Sequence, residues 1–130
     1  HHAGAITSTN CGRPQGTRLN GSTSSGQALS DVVGFGEDFV PVAIIMPAAW
    51  TAADITFQAA DASGAFKNVY TAANAEVAVN VGVDRYIPLT PANFQGTSRI
   101  KIRSGTSGVP VNQGAARTIV VVCRDLISAK

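Results

Sequence analysis

Ser98-Arg-Ile-Lys-Ile-Arg-Ser104 is the stretch on which the reading of this chain turns. Ile100 and Ile102 alternate with Arg99, Lys101 and Arg103, a period of two that sends the isoleucines to one face of an extended segment and the cations to the other. An amphipathic helix does not fit, because its apolar stripe needs a repeat of about 3.6 residues. The alternation recurs in Asp54-Ile-Thr-Phe-Gln-Ala-Ala60, where Ile55, Phe57 and Ala59 share one face and Thr56 and Gln58 the other, and in Val77, Val79 and Val81.

The segments between these strands carry turn chemistry. Asp61-Ala-Ser-Gly64 reads as a tight turn, and Phe66 to Tyr70 as the return strand of its hairpin. Arg85-Tyr-Ile-Pro-Leu89 turns Ile87 and Leu89 inward, and Pro91-Ala-Asn-Phe94-Gln-Gly96 suits one helical turn ended by glycine. Gly105-Thr-Ser-Gly108 is a further turn before a largely buried final strand, Ala116 to Arg124. Upstream, Asp31-Val-Val33 begins a short strand, Gly34-Phe-Gly36 turns, and Phe39-Val-Pro-Val-Ala-Ile-Ile-Met46 follows, with Pro41 predicting an edge strand or a late strand start. Without a convincing amphipathic helix, this order predicts an all-β protein, an antiparallel β-sandwich or jelly roll of about seven to eight strands.

Residues 1–30 differ in composition. Gly, Ser, Thr, Asn and Gln dominate there, and Arg13 and Arg18 are the only charged residues. Such a segment cannot build a core of its own, so the chain divides into an extended arm, 1–30, and a β-sandwich domain, 31–130. The arm is expected to order against a neighbouring subunit, with Arg13 and Arg18 available for that contact; the alternative is a flexible terminus.

At 130 residues the chain has the size of one domain. Charged residues make up only 14% of it, so Ser, Thr, Asn, Gln and Gly must cover much of the surface, as suits a protein that packs against other subunits. A net charge of +2 and the lack of any basic run argue against nucleic acid. The longest apolar stretch, Phe39 to Trp50, is interrupted by Pro41 and Pro47 and is too short to span a bilayer, so no membrane partner is expected. No charged segment followed by an apolar one opens the sequence, so no secretion signal is expected, and His1 and His2 receive no functional reading.

Cys11 and Cys123 have no metal-ligand spacing. Two cysteines are far too few for a disulfide scaffold, so free thiols are expected, with Cys123 a small buried hydrophobe; the other reading is a disulfide that closes nearly the whole chain.

Catalytic equipment is sparse. No histidine lies between residues 3 and 130 to serve as base for a Ser, Thr or Cys nucleophile, no two acids share a motif, and Gly105-Thr-Ser-Gly108 lacks the lysine of a phosphate loop. Asp54, Asp61 and Asp84 read as turn formers at strand ends, not calcium ligands. A non-enzymatic protein without catalytic residues, metal or cofactor is expected. The candidate contacts to a partner or glycan are the Arg99, Lys101, Arg103 ladder and the aromatics Trp50, Tyr70 and Tyr86. Against these stand a plain solvated strand face for the ladder and burial for the aromatics. No acid lies between Asp84 and Asp125, whereas six basic residues do, which concentrates positive charge on the ladder's side of the sequence.

Three pieces together carry a resemblance: Met46-Pro-Ala-Ala-Trp50 leading to Ile55-Thr-Phe-Gln58; Arg85-Tyr-Ile-Pro-Leu89 with Pro91-Ala-Asn-Phe94; and Ile100-Lys-Ile-Arg-Ser-Gly-Thr-Ser107 followed by Pro110-Val-Asn-Gln113. Over about residues 40–124 the chain resembles small β-sandwich virion proteins of tailed bacteriophages and related gene transfer agents, of the head-decoration, spike-base or fibre-associated type. The middle segment also resembles galactose-binding-like and discoidin jelly rolls, whose end loops often bind glycans. The resemblance implies a virion structural protein, assembled in the host cytoplasm as a homo-oligomer in contact with other virion proteins. The alternative is a carbohydrate- or receptor-binding sandwich that takes a surface glycan.

Overall fold

The computed structural model describes residues 6–10, 17–18, 28–30, 32–36, 39–115 and 117–125. In chain order the strands are β1 (Ile6–Asn10), β2 (Thr17–Arg18), β3 (Val33–Gly34), β4 (Phe39–Ile45), β5 (Ile55–Ala60), β6 (Lys67–Asn68), β7 (Ala78–Val79), β8 (Tyr86–Pro88), β9 (Arg99–Ser104) and β10 (Arg117–Asp125). A single 3-10 turn over Pro91–Phe94 lies between β8 and β9. The protein is an all-β sandwich. One sheet runs β2-β1-β10-β4-β8; the other runs β3-β9-β5-β6, with β7 also paired to β5. Among the described residues no helix is long and apolar enough to cross a membrane.

The central pair of the second sheet is the one the alternation predicts. β5 and β9 run antiparallel with Phe57 opposite Ile102 and Ala59 opposite Ile100 on the inner face, and Gln58 opposite Lys101 on the outer. Ile55, Phe57, Ile100 and Ile102 are completely buried and join Ile44, Ile119, Val121 and Cys123 from the first sheet in one core. Burying each such side chain contributes about 1.5–3 kcal/mol. Pro91 starts the 3-10 turn, which drops Phe94 edge-on against Phe57, with ring centroids 5.0 Å apart. Gly96, at φ +85, then releases the chain toward β9.

Pro41 does not mark an edge. β4 lies between β10 and β8, whose pairing with it stops at Ala43, and Pro41 sits inside β4 opposite Cys123, where the register slips between Val122 and Cys123. A β-bulge is the interior position at which a residue without an N–H costs the ladder least.

Strands also form before residue 30. β1 pairs in parallel with β10, Ile6 opposite Arg117 through Ser8 opposite Ile119, and β2 folds back on β1. This pairing is within the chain's own sheet. Arg13 lies outside the described residues, and Arg18 is placed by its pairing with Thr9 in β2. Residues 28–30 are stitched to β9: Ser104 N donates to Ala28 O, Ser30 N to Ile102 O, and Ile102 N to Ser30 Oγ.

The expectation of free thiols is corrected. Cys123 is disulfide-bonded, and the sequence holds one other cysteine, Cys11, directly after β1. Cysteine density measures whether a scaffold depends on disulfides; it says nothing about a single pair, which here follows from β1 running alongside the strand that carries Cys123. The bridge closes nearly the whole chain, the case in which chain-entropy stabilisation is largest. Cys123→Ser is expected to lower the unfolding free energy by about 2–5 kcal/mol, read as a lower urea midpoint, and reducing agent should shift the parent but not the variant.

Candidate functional site

The outer face of β9 carries the cation ladder, and the structure divides it. Arg103 is turned into a covered polar cluster. Its guanidinium donates to Glu76 Oε2 (3.3 Å), to Thr56 Oγ1 (3.2 Å) and to Asn68 Oδ1 (2.6 Å), with 9% of the side chain exposed. Glu76 in turn accepts from Ser107 N. Thr56 donates to Gly105 O at 2.7 Å and is fully buried, although its place on the outer face of β5 predicted a solvated side chain. The cause is tertiary: Glu76 and the Gly105–Pro110 turn fold over this end of the sheet.

The other two ladder residues behave differently. Arg99 donates to Asp61 O (2.7 and 3.1 Å) and Gly64 O (2.7 Å), and its guanidinium carbon lies 4.9 Å from the centroid of the Phe66 ring. Lys101 Nζ stands 4.7 Å from the same centroid. The turn beneath them is closed as its sequence predicts, with Asp61 Oδ1 accepting from Ser63 N and Gly64 N. Sequence reasoning missed Phe66, Asn68 and Glu76 as partners of the ladder. Phe66 and Asn68 belong to the return strand read from the hairpin, but no local pattern announces Glu76, whose contact spans 27 residues.

The aromatic candidates are not one platform. Tyr86, on β8 at the edge of the first sheet, is 64% exposed, and Tyr70, in the link from β6 to β7 of the second sheet, is 48% exposed. The expectation of burial is corrected for both: Tyr86 sits on a three-residue edge strand and Tyr70 at an isolated bridge between β6 and β7, and neither position is enclosed by the other sheet. Trp50 is half-buried and its Nε1 donates to Ala53 O at 3.0 Å, which pins the bend after Pro47.

The same bend is tied to both sheets by Gln113, a buried amide. Gln113 Nε2 donates to Thr51 O (3.0 Å) and Ser104 Oγ (2.7 Å), while its Oε1 accepts from Thr51 N (2.7 Å) and Arg117 Nε (3.1 Å). Both ends of this buried amide are satisfied, so it links β9 to β10 without an unpaired polar group.

A cleft of about 380 Å³ opens between the β7 and β8 edges of the two sheets. Val77, Val79, Leu89 and Phe94 give it an apolar floor, and Thr71, Asn80, Thr90 and Asn93 supply hydroxyls and amides. Among the described residues no three His, Cys, Asp or Glu side chains gather into a metal cluster. No family model, curated protein or solved structure matches the chain.

Gly105 fixes the turn that covers Arg103. It has φ +92, and a Cβ there would meet Val109 O at 2.5 Å and Val111 N at 2.7 Å. Gly105→Ala is expected to cost about 2–4 kcal/mol, from the left-handed conformation and the clash together, measured as a drop in thermal and urea stability.

Proposed function

We propose that this chain is a non-enzymatic structural subunit of a virion, of the kind found as head decoration, spike base or fibre-associated protein on tailed bacteriophages and gene transfer agents, and that it works through subunit-subunit contacts. The observation that carries the reading is the β8 edge. Tyr86 at 64% and Val83 at 38% exposure stand beside exposed Arg85 on a surface poor in charge. Tyrosine and arginine are enriched at interfaces, and apolar side chains left in water on a small sandwich favour a partner. Arg85 is held in place by its donation to Val83 O at 2.7 Å. The disulfide at Cys123 suits a protein that persists outside the reducing cytoplasm, as a released particle does. On this reading the chain assembles as a homo-oligomer and contacts other virion proteins.

The cleft favours a second reading, a carbohydrate- or receptor-binding module. Its volume lies in the range of small-ligand sites, and exposed Tyr70 pairs with Glu76 at its margin.

The test is the mass of the purified protein across concentration, together with its co-sedimentation with particles, for the parent and for Tyr86→Asp. The expected result is an oligomer or particle-bound state that Tyr86→Asp weakens at least tenfold. A parent that stays monomeric at high concentration and never sediments with particles overturns the structural reading. Saturable glycan-array binding by that monomer, lost in Asn93→Ala, establishes the second.

A further inference from the structure

We infer that the outer face of the second sheet, at the Arg99–Phe66–Lys101 cluster, docks a carboxylate-rich segment of a neighbouring protein. The inference rests on the structural-subunit reading and specifies one of its contacts.

The cations of this face are not neutralised within the described residues. Arg99 spends its donors on the carbonyls of Asp61 and Gly64, which fix its position and leave its charge in place. Lys101 has the Phe66 ring as its contact and, among the described residues, no carboxylate. Lys67 does not join them: it lies opposite Ala59, on the other side of the sheet from Lys101. Of the nearby acids, Glu76 is paired with Arg103, and Asp61, whose Oδ1 holds the turn backbone, keeps its charge and offsets part of this face while leaving it positive.

Position is as informative as charge. A lysine on an open strand face normally samples many rotamers and loses them on binding. Here the aromatic face attracts the ammonium and guanidinium together, so two cations stand at set positions before a partner arrives. Lys101, Gln58 and Asn68 lie in register across three strands, which puts amide donors beside the cations. Carboxylates accept from both kinds of donor. A sugar ring is the poorer occupant, because the aromatic surface it would stack on is engaged by Arg99 and Lys101. A nucleic-acid backbone needs a longer run of cations than these two.

The experiment titrates the isotope-labelled, disulfide-intact protein with a fluorescein-labelled hexaglutamate peptide, and in parallel with a heparin oligosaccharide, following amide shifts and the dissociation constant. The expected result is saturable peptide binding with shifts centred on Gln58, Phe66, Arg99 and Lys101. Binding should weaken about tenfold in Lys101→Glu and in Gln58→Glu, which sets a like charge opposite Lys101, and several-fold in Phe66→Leu, which leaves the charge unchanged. Each variant is first checked for parental spectral dispersion, and the isosteric Gln58→Glu keeps the test open if another variant unfolds. No shifts on this face, equal affinity in the parent and all three variants, or tighter binding of the oligosaccharide at these residues overturns the inference. Peptide binding does not require assembly: a monomer that binds the peptide defeats the subunit reading alone, and an assembling protein that ignores the peptide defeats the docking face alone.

Discussion

A buried guanidinium organises the outer side of the second sheet. Arg103 lies on the outer face of a central strand, and withdrawing its charge from water is tolerable only because Glu76, Asn68 and Thr56 each present an oxygen to it. Those oxygens come from β5, β6 and the chain entering β7, so one cation ties two elements with few ladder hydrogen bonds of their own to the central strand beside them. β6 and β7 are two residues long. Backbone pairing at that length is weak, and the polar cluster gives both a reason to stay against β5.

The same constraint splits the ladder. Three cations with identical sequence spacing end in different roles: Arg103 is structural, while Arg99 and Lys101 flank Phe66 at the uncovered end of the strand. The Gly105–Pro110 turn makes the difference, because it covers one end of the strand and leaves the other uncovered. Structure and the proposed docking contact therefore meet on one strand. Its inner face supplies Ile100 and Ile102 to the core, one outer position holds the sheet together, and two outer positions present charge.

Period-two alternation in Asp54 to Ala60 and Ser98 to Ser104 made the central β5–β9 pair legible, because a half-buried strand writes its two environments into adjacent residues. Turn chemistry did the same for Asp61-Ala-Ser-Gly64 and the Pro91 turn. What stayed illegible was decided over distance. Thr56 and Arg103 have the polarity of solvated residues, and only the return of Glu76 and Ser107 shows that they are covered. Pro41 reads as an edge signal, and the bulge that admits it to an interior strand depends on the register with β10. Tyr86 reads as core by its chemistry and lies at an edge because β8 has a neighbour on one side only. The disulfide depends on the parallel course of β1 along β10, a pairing that neither segment encodes alone.

If Arg103 is an internal cross-link, its energy must be coupled to Glu76; if it is a recognition residue that rests near an acid, the two must act independently. A double-mutant cycle with Glu76→Gln and Arg103→Met, read by urea unfolding, separates these directly. The account predicts a coupling free energy of about 2 kcal/mol, with Glu76→Gln alone the more damaging single change because it leaves a covered cation without its counter-charge. Additive effects, with coupling below about 0.5 kcal/mol, contradict it.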